Sequence, residues 1–363
     1  MKNQILKRAA RFGKFLTKED FDAFVVFTNE GMNWESLYYT TGFRGTSGAA
    51  VLYRDHAVLI TDPRYITQAH EQSPLEIVLQ KNSLYEAIEA EFARNNVRRA
   101  FCESDKTYNS DFRILRRFVE DLRDGSNFMR NIRRTKDETE VAFIRKSADL
   151  AAEAFMDALS IVKPGMTEKE FEAYLNYRIN MLGAEAGFEM IVASGERGAM
   201  PHGRATDKKI EKGELVTVDY GARYNGYFCD ITRNFSIGEP ADSRVREYHD
   251  YVLQAHQAGA NVLRADEEAT LPHIMANDML EAYNLSKYFT HSLGHSFGLE
   301  VHEPPFLSPR MKKKYLKAGD IVTVEPGIYI PGWGGMRIED DYLVTEDGAE
   351  RLTDKLEQKL FIV

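Results

Sequence analysis

Cysteine is nearly absent: Cys102 and Cys229 are the only two among 363 residues, and they stand far apart. Two cysteines build no disulfide framework, which excludes the small bridged scaffolds and points to a reducing compartment, the cytoplasm. No apolar run approaches the roughly 20 residues that a membrane-spanning helix needs. The N-terminal Met1-Lys2-Asn3-Gln4-Ile5-Leu6-Lys7-Arg8 lacks the apolar core of a signal peptide, and Lys7, Arg8, Arg11 and Lys14 interrupt the first 14 residues with charge. Positive charge is not in excess either. With 47 Lys and Arg against 56 Asp and Glu the net charge is −9, which argues against nucleic acid or an anionic membrane as the main partner. Low-complexity tracts and short-period repeats are missing as well.

What remains is an ordinary globular composition in a chain long enough for two domains, each with its own core. The stretch around which the rest is organised runs from Val216 to Arg233. It reads as two β-branched strands joined at Asn225-Gly226, the dipeptide best suited to a two-residue type I′ turn. With that loop, Tyr224 faces Tyr227, and counting back sets Gly221 opposite Asp230. Asp219, two residues from Gly221, then projects from the same face, diagonal to Asp230. Two carboxylates so placed repel one another unless one stays protonated or a divalent cation lies between them. An isolated hairpin would favour two unrelated acids on a solvated face. Three further motifs downstream favour the cation.

Taken in order, the first third of the chain reads as α/β. Ala23–Phe27, Ala49–Tyr53 and Ala57–Ile60 are short apolar runs bounded by turn residues, hence strands, with Arg54-Asp55 turning between the last two. The spacing of Leu84, Ile88 and Phe92 predicts a helix over 82–94. That of Ile114, Leu115, Phe118 and Leu122 predicts another over 111–122, ended by Asp124-Gly125-Ser126-Asn127. A charged connector, 133–140, marks a boundary near 130, with Thr135 and Glu138 as a capping box for a helix reaching about Val162. Lys163-Pro164-Gly165 breaks it. Thr167 and Glu170 cap a second helix ending near Gly183, and two more are expected over 243–263 and 267–283 among strands.

The chemistry-bearing motifs lie beyond the hairpin: His291-Ser292-Leu293-Gly294-His295-Ser296-Phe297-Gly298-Leu299-Glu300-Val301-His302-Glu303, then Thr323-Val324-Glu325-Pro326-Gly327, then Met336-Arg337-Ile338-Glu339-Asp340, with Met200-Pro201-His202-Gly203 upstream. His291 and His295 have the spacing of a helical zinc pair, but no Glu follows His291, and Gly294 and Gly298 oppose a helix. Gly332-Trp333-Gly334-Gly335 is no phosphate loop, since neither Lys nor a helix follows. Singly, each residue has an ordinary structural explanation: Glu325 can end a strand, and Arg337 can pair with Glu339 on a surface. His56, His70, His249, His256 and His273 stay unassigned.

Together these motifs resemble those of the M24, or pita-bread, metallopeptidases: Xaa-Pro dipeptidases (prolidases), Xaa-Pro aminopeptidases and methionine aminopeptidases. Tyr39-Thr40-Thr41-Gly42-Phe43-Arg44-Gly45 and Thr61-Asp62-Pro63-Arg64-Tyr65 resemble the N-terminal domain of the proline-specific branch. The resemblance implies a two-domain α/β (α+β) protein. Residues 1–130 would be a creatinase/prolidase-like domain and 131–363 a catalytic pita-bread domain, an antiparallel sheet flanked by helices with internal pseudo-twofold symmetry. It carries the five metal ligands onto Asp219, Asp230, His295, Glu325 and Glu339. Such a set fits two divalent ions roughly 3.5–4 Å apart. Ligand hardness favours Mn²⁺, with Co²⁺, Zn²⁺ and Fe²⁺ left open by the imidazole.

The implied reaction is attack of a metal-bridging hydroxide on the bond between an N-terminal residue and a following proline, with Glu325 as proton shuttle. His202 and His302 would be catalytic and contact substrate, His291 would bind substrate, Arg337 would orient the neighbouring glutamate or bind the substrate, and relatives imply a cytoplasmic homodimer acting on short peptides. Two alternatives from other classes are an inactive pita-bread protein that binds peptides or proteins, and a creatinase-like C–N hydrolase; the complete ligand set counts against both. Departures from the family pattern are Ser296 and Phe297 after His295, Asn234 after Thr232-Arg233, and Glu196-Arg197-Gly198. Phe297 and the Glu196–Arg197 loop are expected to shape the substrate cleft.

Overall fold

The β-branched runs of the first third do pair, in a six-stranded mixed sheet ordered Glu76–Leu79, Ala57–Thr61, Gly48–Tyr53, Ala23–Thr28, Arg99–Cys102, Asp121–Asp124. The three strands from Ala23 to Thr61 are antiparallel neighbours and the outer pairings are parallel. Ala23, Val25 and Phe27 pack in one cluster with Ile88 and Phe92 of the helix Leu84–Arg94. On the other face Phe24 meets Phe12 of the helix Lys2–Glu19, ring centroids 5.0 Å apart. Covered on both faces, the strand is apolar throughout rather than alternating. These elements lie in the first of two compact units, Met1–Ile132 and Arg133–Val363, in a computed structural model that describes all 363 residues.

Two local expectations fail here. The helix predicted over 111–122 stops at Leu115, and Asp121–Asp124 pairs instead in parallel with Arg99–Cys102. That strand lies at the sheet edge and is largely solvent-exposed, so its Asp-Leu-Arg-Asp sequence carries no strand-like apolar run. Asp124-Gly125-Ser126-Asn127 opens a helix rather than ending one: Asp124 Oδ1 accepts from Ser126 N at 2.9 Å, and a helix spans Ser126–Arg134. The helices Lys2–Glu19 and Trp34–Thr41 add to the expected elements; in the first, Lys7, Arg11 and Lys14 face outward, while Arg8 is buried beside Ile5, Phe12 and Leu16 and donates to the Tyr39 carbonyl at 3.0 Å.

The second unit repeats one arrangement. Helices Glu138–Ile161 and Glu168–Met181 share a core with the four-stranded sheet Phe361–Ile362, Ile231–Ser236, Leu215–Tyr220, Ile191–Ser194. Helices Arg244–Ala260 and Leu271–Ala282 share another with the five-stranded sheet Glu303–Leu307, Gly294–Ser296, Ile321–Val324, Asp340–Val344, Ala349–Arg351. A bridge between Thr232 and Glu339 joins the two sheets at their centre. Pairing is antiparallel except for the last strand, which runs parallel to Ile231–Ser236.

The capping box of the first helix is Asp137 with Glu140, two residues beyond the expected Thr135–Glu138 pair. Asp137 receives Thr139 N and Glu140 N, and Glu140 reaches back to Asp137 N at 2.9 Å. Thr167–Glu170 caps the second helix as expected. No helix is long and apolar enough to cross a membrane.

Candidate metal centre

The hairpin register holds through the whole organising stretch. Tyr224 pairs with Tyr227 across Asn225-Gly226, both at positive φ (49° and 87°), as a type I′ turn requires. Asp219 pairs with Thr232, which keeps Asp230 one step from the ladder, opposite Gly221. Interruptions of the strands at Gly221 and Cys229-Asp230 divide the hairpin between two sheets, and the two acids sit at that seam.

The other sheet supplies the remaining groups from strand ends. His295 is the middle residue of Gly294–Ser296, at a register irregularity. Val324 pairs with Asp340, so Glu325 and Glu339 emerge side by side just past that pair. Asp219, Asp230, His295, Glu325 and Glu339 all line one cleft of about 740 Å³, and so do His202, His291, His302 and Arg337. Asp230, His295 and Glu339 are buried, with ligand atoms within 4.8 Å of one another.

The electrostatics of this floor call for positive charge. His295 Nδ1 lies 3.2 Å from the Ser296 carbonyl, which an N–H must satisfy, so Nε2 carries a bare lone pair. That lone pair sits 3.5 Å from Glu325 Oε1 and 3.8 Å from Asp230 Oδ2. Burial lowers the His295 pKa to about 3, so a proton is not the natural occupant of the gap. Burial, then the charge of Glu339, raises Asp230 and Glu325 well above the ordinary carboxylate range. Burial and the charge of Asp219 push Glu339 up to about 8. Asp219 Oδ1 and Asp230 Oδ1 are buried without a hydrogen-bond partner. Four carboxylates, two orphaned oxygens and an imidazole lone pair share one guanidinium, an oxygen-rich donor set that fits divalent cations.

Arg337 is tied into the floor of the cleft. Nη2 donates to Asp219 at 2.6 Å, Nη1 to Tyr329 at 2.6 Å and to the Pro201 carbonyl at 3.4 Å, and Nε to Thr232 at 3.0 Å. The carboxylate it holds directly is Asp219, and Glu339 lies 3.9 Å from its Nε. Three side chains that the motifs do not single out belong to the same network. Tyr329 hydroxyl bridges Arg337 and His291 Nε2, the latter at 2.9 Å. Thr232 Oγ1 donates to Glu339 at 2.6 Å, and Asp341 accepts from Asp230 N at 3.0 Å. Thr232 and Asp341 lie two residues after the candidate ligands Asp230 and Glu339, which is the signal the sequence offers. Tyr329 offers none beyond following Glu325-Pro326-Gly327.

Two expected cleft-shaping features are elsewhere. Phe297, the residue after the strand Gly294–Ser296, is fully buried and does not line the cleft. Arg197 turns away from the cleft to Glu168 and to the Arg204 carbonyl at 2.7 Å. The apolar lining comes instead from residues such as Phe188, Ile191, Val301 and Phe306. Asn234 is buried behind the site, donating to the Arg337 carbonyl at 2.8 Å and accepting from Thr217 at 2.9 Å.

Comparison with known proteins bears on this geometry. Residues 142–346 match the model of metallopeptidase family M24, and residues 8–135 match that of the creatinase/prolidase N-terminal domain. The chain is 36% identical over 363 aligned residues to the Xaa-Pro dipeptidase of Pyrococcus furiosus, covering 98% of this chain and 99% of that protein. Among solved structures it is similar to an X-Pro aminopeptidase from Thermotoga maritima, with a TM-score of 0.91, 34% identity, and 95% and 98% of the two chains covered. It is similar also to an Xaa-Pro dipeptidase from Bacillus anthracis, with a TM-score of 0.92, 34% identity, and 99% and 100% covered.

Proposed function

Because the chain belongs to metallopeptidase family M24, we propose that it is an exopeptidase releasing an N-terminal residue from short peptides with proline in second position. Membership makes it a metallopeptidase dependent on divalent metal ions. The proline preference is supported by the activities for which relatives similar over nearly the whole chain are named. The observation that carries the reading is the buried floor itself: four carboxylates and a bare imidazole nitrogen gathered around one arginine.

In this reading Asp219, Asp230, His295, Glu325 and Glu339 hold two cations, with Mn²⁺ favoured by the four hard oxygen donors. When bound, such ions polarise the scissile carbonyl and lower the pKa of water. The remaining work falls to side chains. Glu325, at the end of its strand and 3.5 Å from His295 Nε2, takes the proton of the attacking water and passes it to the leaving proline nitrogen. His202 and His302, both exposed in the cleft, present imidazoles to the substrate backbone. His291 is held by its bond to Tyr329 and lines the same cleft. Arg337 acts through Asp219, fixing the carboxylate that would otherwise swing with its orphaned oxygen. A binding module without activity finds no support in a cleft that keeps every one of these groups.

We assign 1–130 and 131–363 as the N-terminal and catalytic domains, supported by the family matches to 8–135 and 142–346. A cytoplasmic homodimer completes the proposal. The test is hydrolysis of Ala-Pro and Ala-Pro-Ala by metal-stripped protein re-supplied with Mn²⁺, Co²⁺ or Zn²⁺. Cleavage of either with metal is expected. If neither is cut with any of the three, the proline reading fails.

A further inference from the structure

His202 is exposed, so the packing of its own side chain does little to fix it, and its position depends on the backbone that carries it. That backbone is the segment 195–205, between the strand Ile191–Ser194 and the turn at Thr206. Both of its ends converge on one side chain. Glu168, the first residue of its helix and 0% exposed, accepts from Ser194 N and Ser194 Oγ on Oε1, each at 2.8 Å. Its Oε2 accepts from Thr206 N at 3.0 Å and Thr206 Oγ1 at 2.8 Å.

Arg197 then closes the segment on itself. Its Nη1 pairs with Glu168 Oε2, and its Nη2 donates across the segment to the Arg204 carbonyl at 2.7 Å. His202 lies on the stretch between those two anchors. The turn of the segment lies flat on the strand Gly334–Arg337, where a Cβ on Gly335 would collide with the Gly198 carbonyl oxygen. This close approach explains the glycine at 335. Arg337, at the end of that strand, donates to the Pro201 carbonyl at 3.4 Å. Burial opposes charge on Glu168, yet the bonds from Ser194, Thr206 and Arg197 hold its pKa below the usual range.

We propose that Glu168 and Arg197 form a clamp that fixes the segment 195–205 and so sets where His202 stands against the substrate. Both are positioning residues, since neither lines the cleft. The inference rests on the reading of His202 as substrate-facing, and Arg197 is one of the residues by which this sequence departs from the family pattern.

The experiment compares Arg197→Ala, Arg197→Lys and Glu168→Gln with His202→Ala and the Arg197→Ala/His202→Ala double variant. Amide hydrogen exchange over 195–205 is measured in metal-free protein alongside kcat and KM on Ala-Pro with metal. Exchange in the segment is expected to rise in Arg197→Ala and Glu168→Gln while the sheets keep their protection. kcat/KM is expected to fall about tenfold in Arg197→Ala, mainly in kcat, as for one lost hydrogen bond to a charged group. Lysine restores part of it. In the double variant the Arg197 substitution adds little to the loss from His202→Ala. Unchanged exchange in both clamp variants overturns the proposal, and so does a fully additive double variant. Full activity of His202→Ala alone would overturn the assignment of His202 and the catalytic half of the clamp together. It would leave the metallopeptidase reading, which rests on Glu325 and the other ligands, standing.

Discussion

Two sets of buried carboxylates lie within the same unit and meet opposite fates. Glu303, directly after His302, receives Arg133 Nη2 at 2.6 Å, Lys136 Nζ at 2.9 Å, and the amides of Leu299 and Glu300 at 3.1 Å. Burial would raise its pKa, but the two cations and their bonds hold it at about 2. Glu339, equally buried, has one arginine 3.9 Å away, one threonine bond, and the charge of Asp219 against it; it is pushed up to about 8. The chain supplies counter-charge where a carboxylate serves the fold. At the cleft floor it withholds counter-charge, and that deficit distinguishes a ligand from a strut.

The comparison breaks most visibly under glutamine substitution. Glu325→Gln is expected to lower kcat by about a thousandfold or more, because in the proposed reading it removes a charged cation ligand and the proton carrier at once. The fold, read by circular dichroism, should persist. Glu303→Gln is expected to do the reverse. It leaves Arg133 and Lys136 buried against a neutral amide and costs about 3 kcal/mol in urea unfolding, with metal content unchanged. If Glu303→Gln lost metal while keeping its stability, the division into ligand and strut would be wrong.

Acidity separates the two sets by sign. The ordinary Glu pKa is about 4.3. Glu303 is depressed, so its contribution is complete above the unfolded value and is lost as pH falls through about 2. Glu339 is raised, so in the metal-stripped protein the folded state binds more protons than the unfolded one between about 4.3 and about 8. Stability of the stripped protein is therefore expected to fall as pH rises from 5 to 8, by roughly 3.5 kcal/mol. Saturating Mn²⁺ should remove the fall, and Glu339→Gln should reduce it, leaving the part that Asp230 and Glu325 contribute. Melting temperatures across that range, with and without metal, decide it. A stripped protein that gained stability over the same interval would overturn the charge deficit.

Much of this contrast is legible in the residues, for a physical reason. Hairpin pairing is local, so Asn225-Gly226 sets the register and with it the placing of Asp219 and Asp230. Motif order names the five candidate ligands, and the structure gathers all five in one cleft. Features that depend on partners distant in sequence stay hidden: Glu303 with Arg133, Glu168 with Thr206, Arg337 with Asp219. A lone charged residue looks the same whether it faces water, a cation or a buried counter-charge. The edge strand Asp121–Asp124 escapes the pattern for a related reason, since parallel pairing with Arg99–Cys102 leaves no local trace.

The smallest expected effect tests the seam between floor and wall. Tyr329 accepts from Arg337 at 2.6 Å and bonds His291 Nε2 at 2.9 Å. His291 Nδ1 is 2.8 Å from the Ser292 carbonyl and must donate to it, so Nε2 is the acceptor and the tyrosine the donor. One hydroxyl thus transmits the orientation of the arginine that holds Asp219 to a histidine at the cleft wall. Tyr329→Phe removes both bonds without emptying volume, leaving a guanidinium donor short of a partner. Such a loss is worth about 1 kcal/mol, so kcat/KM should drop roughly fivefold with metal affinity nearly unchanged. A large loss of metal would instead mean that Arg337 holds Asp219 only while Tyr329 holds Arg337, and the tyrosine would then belong to the floor.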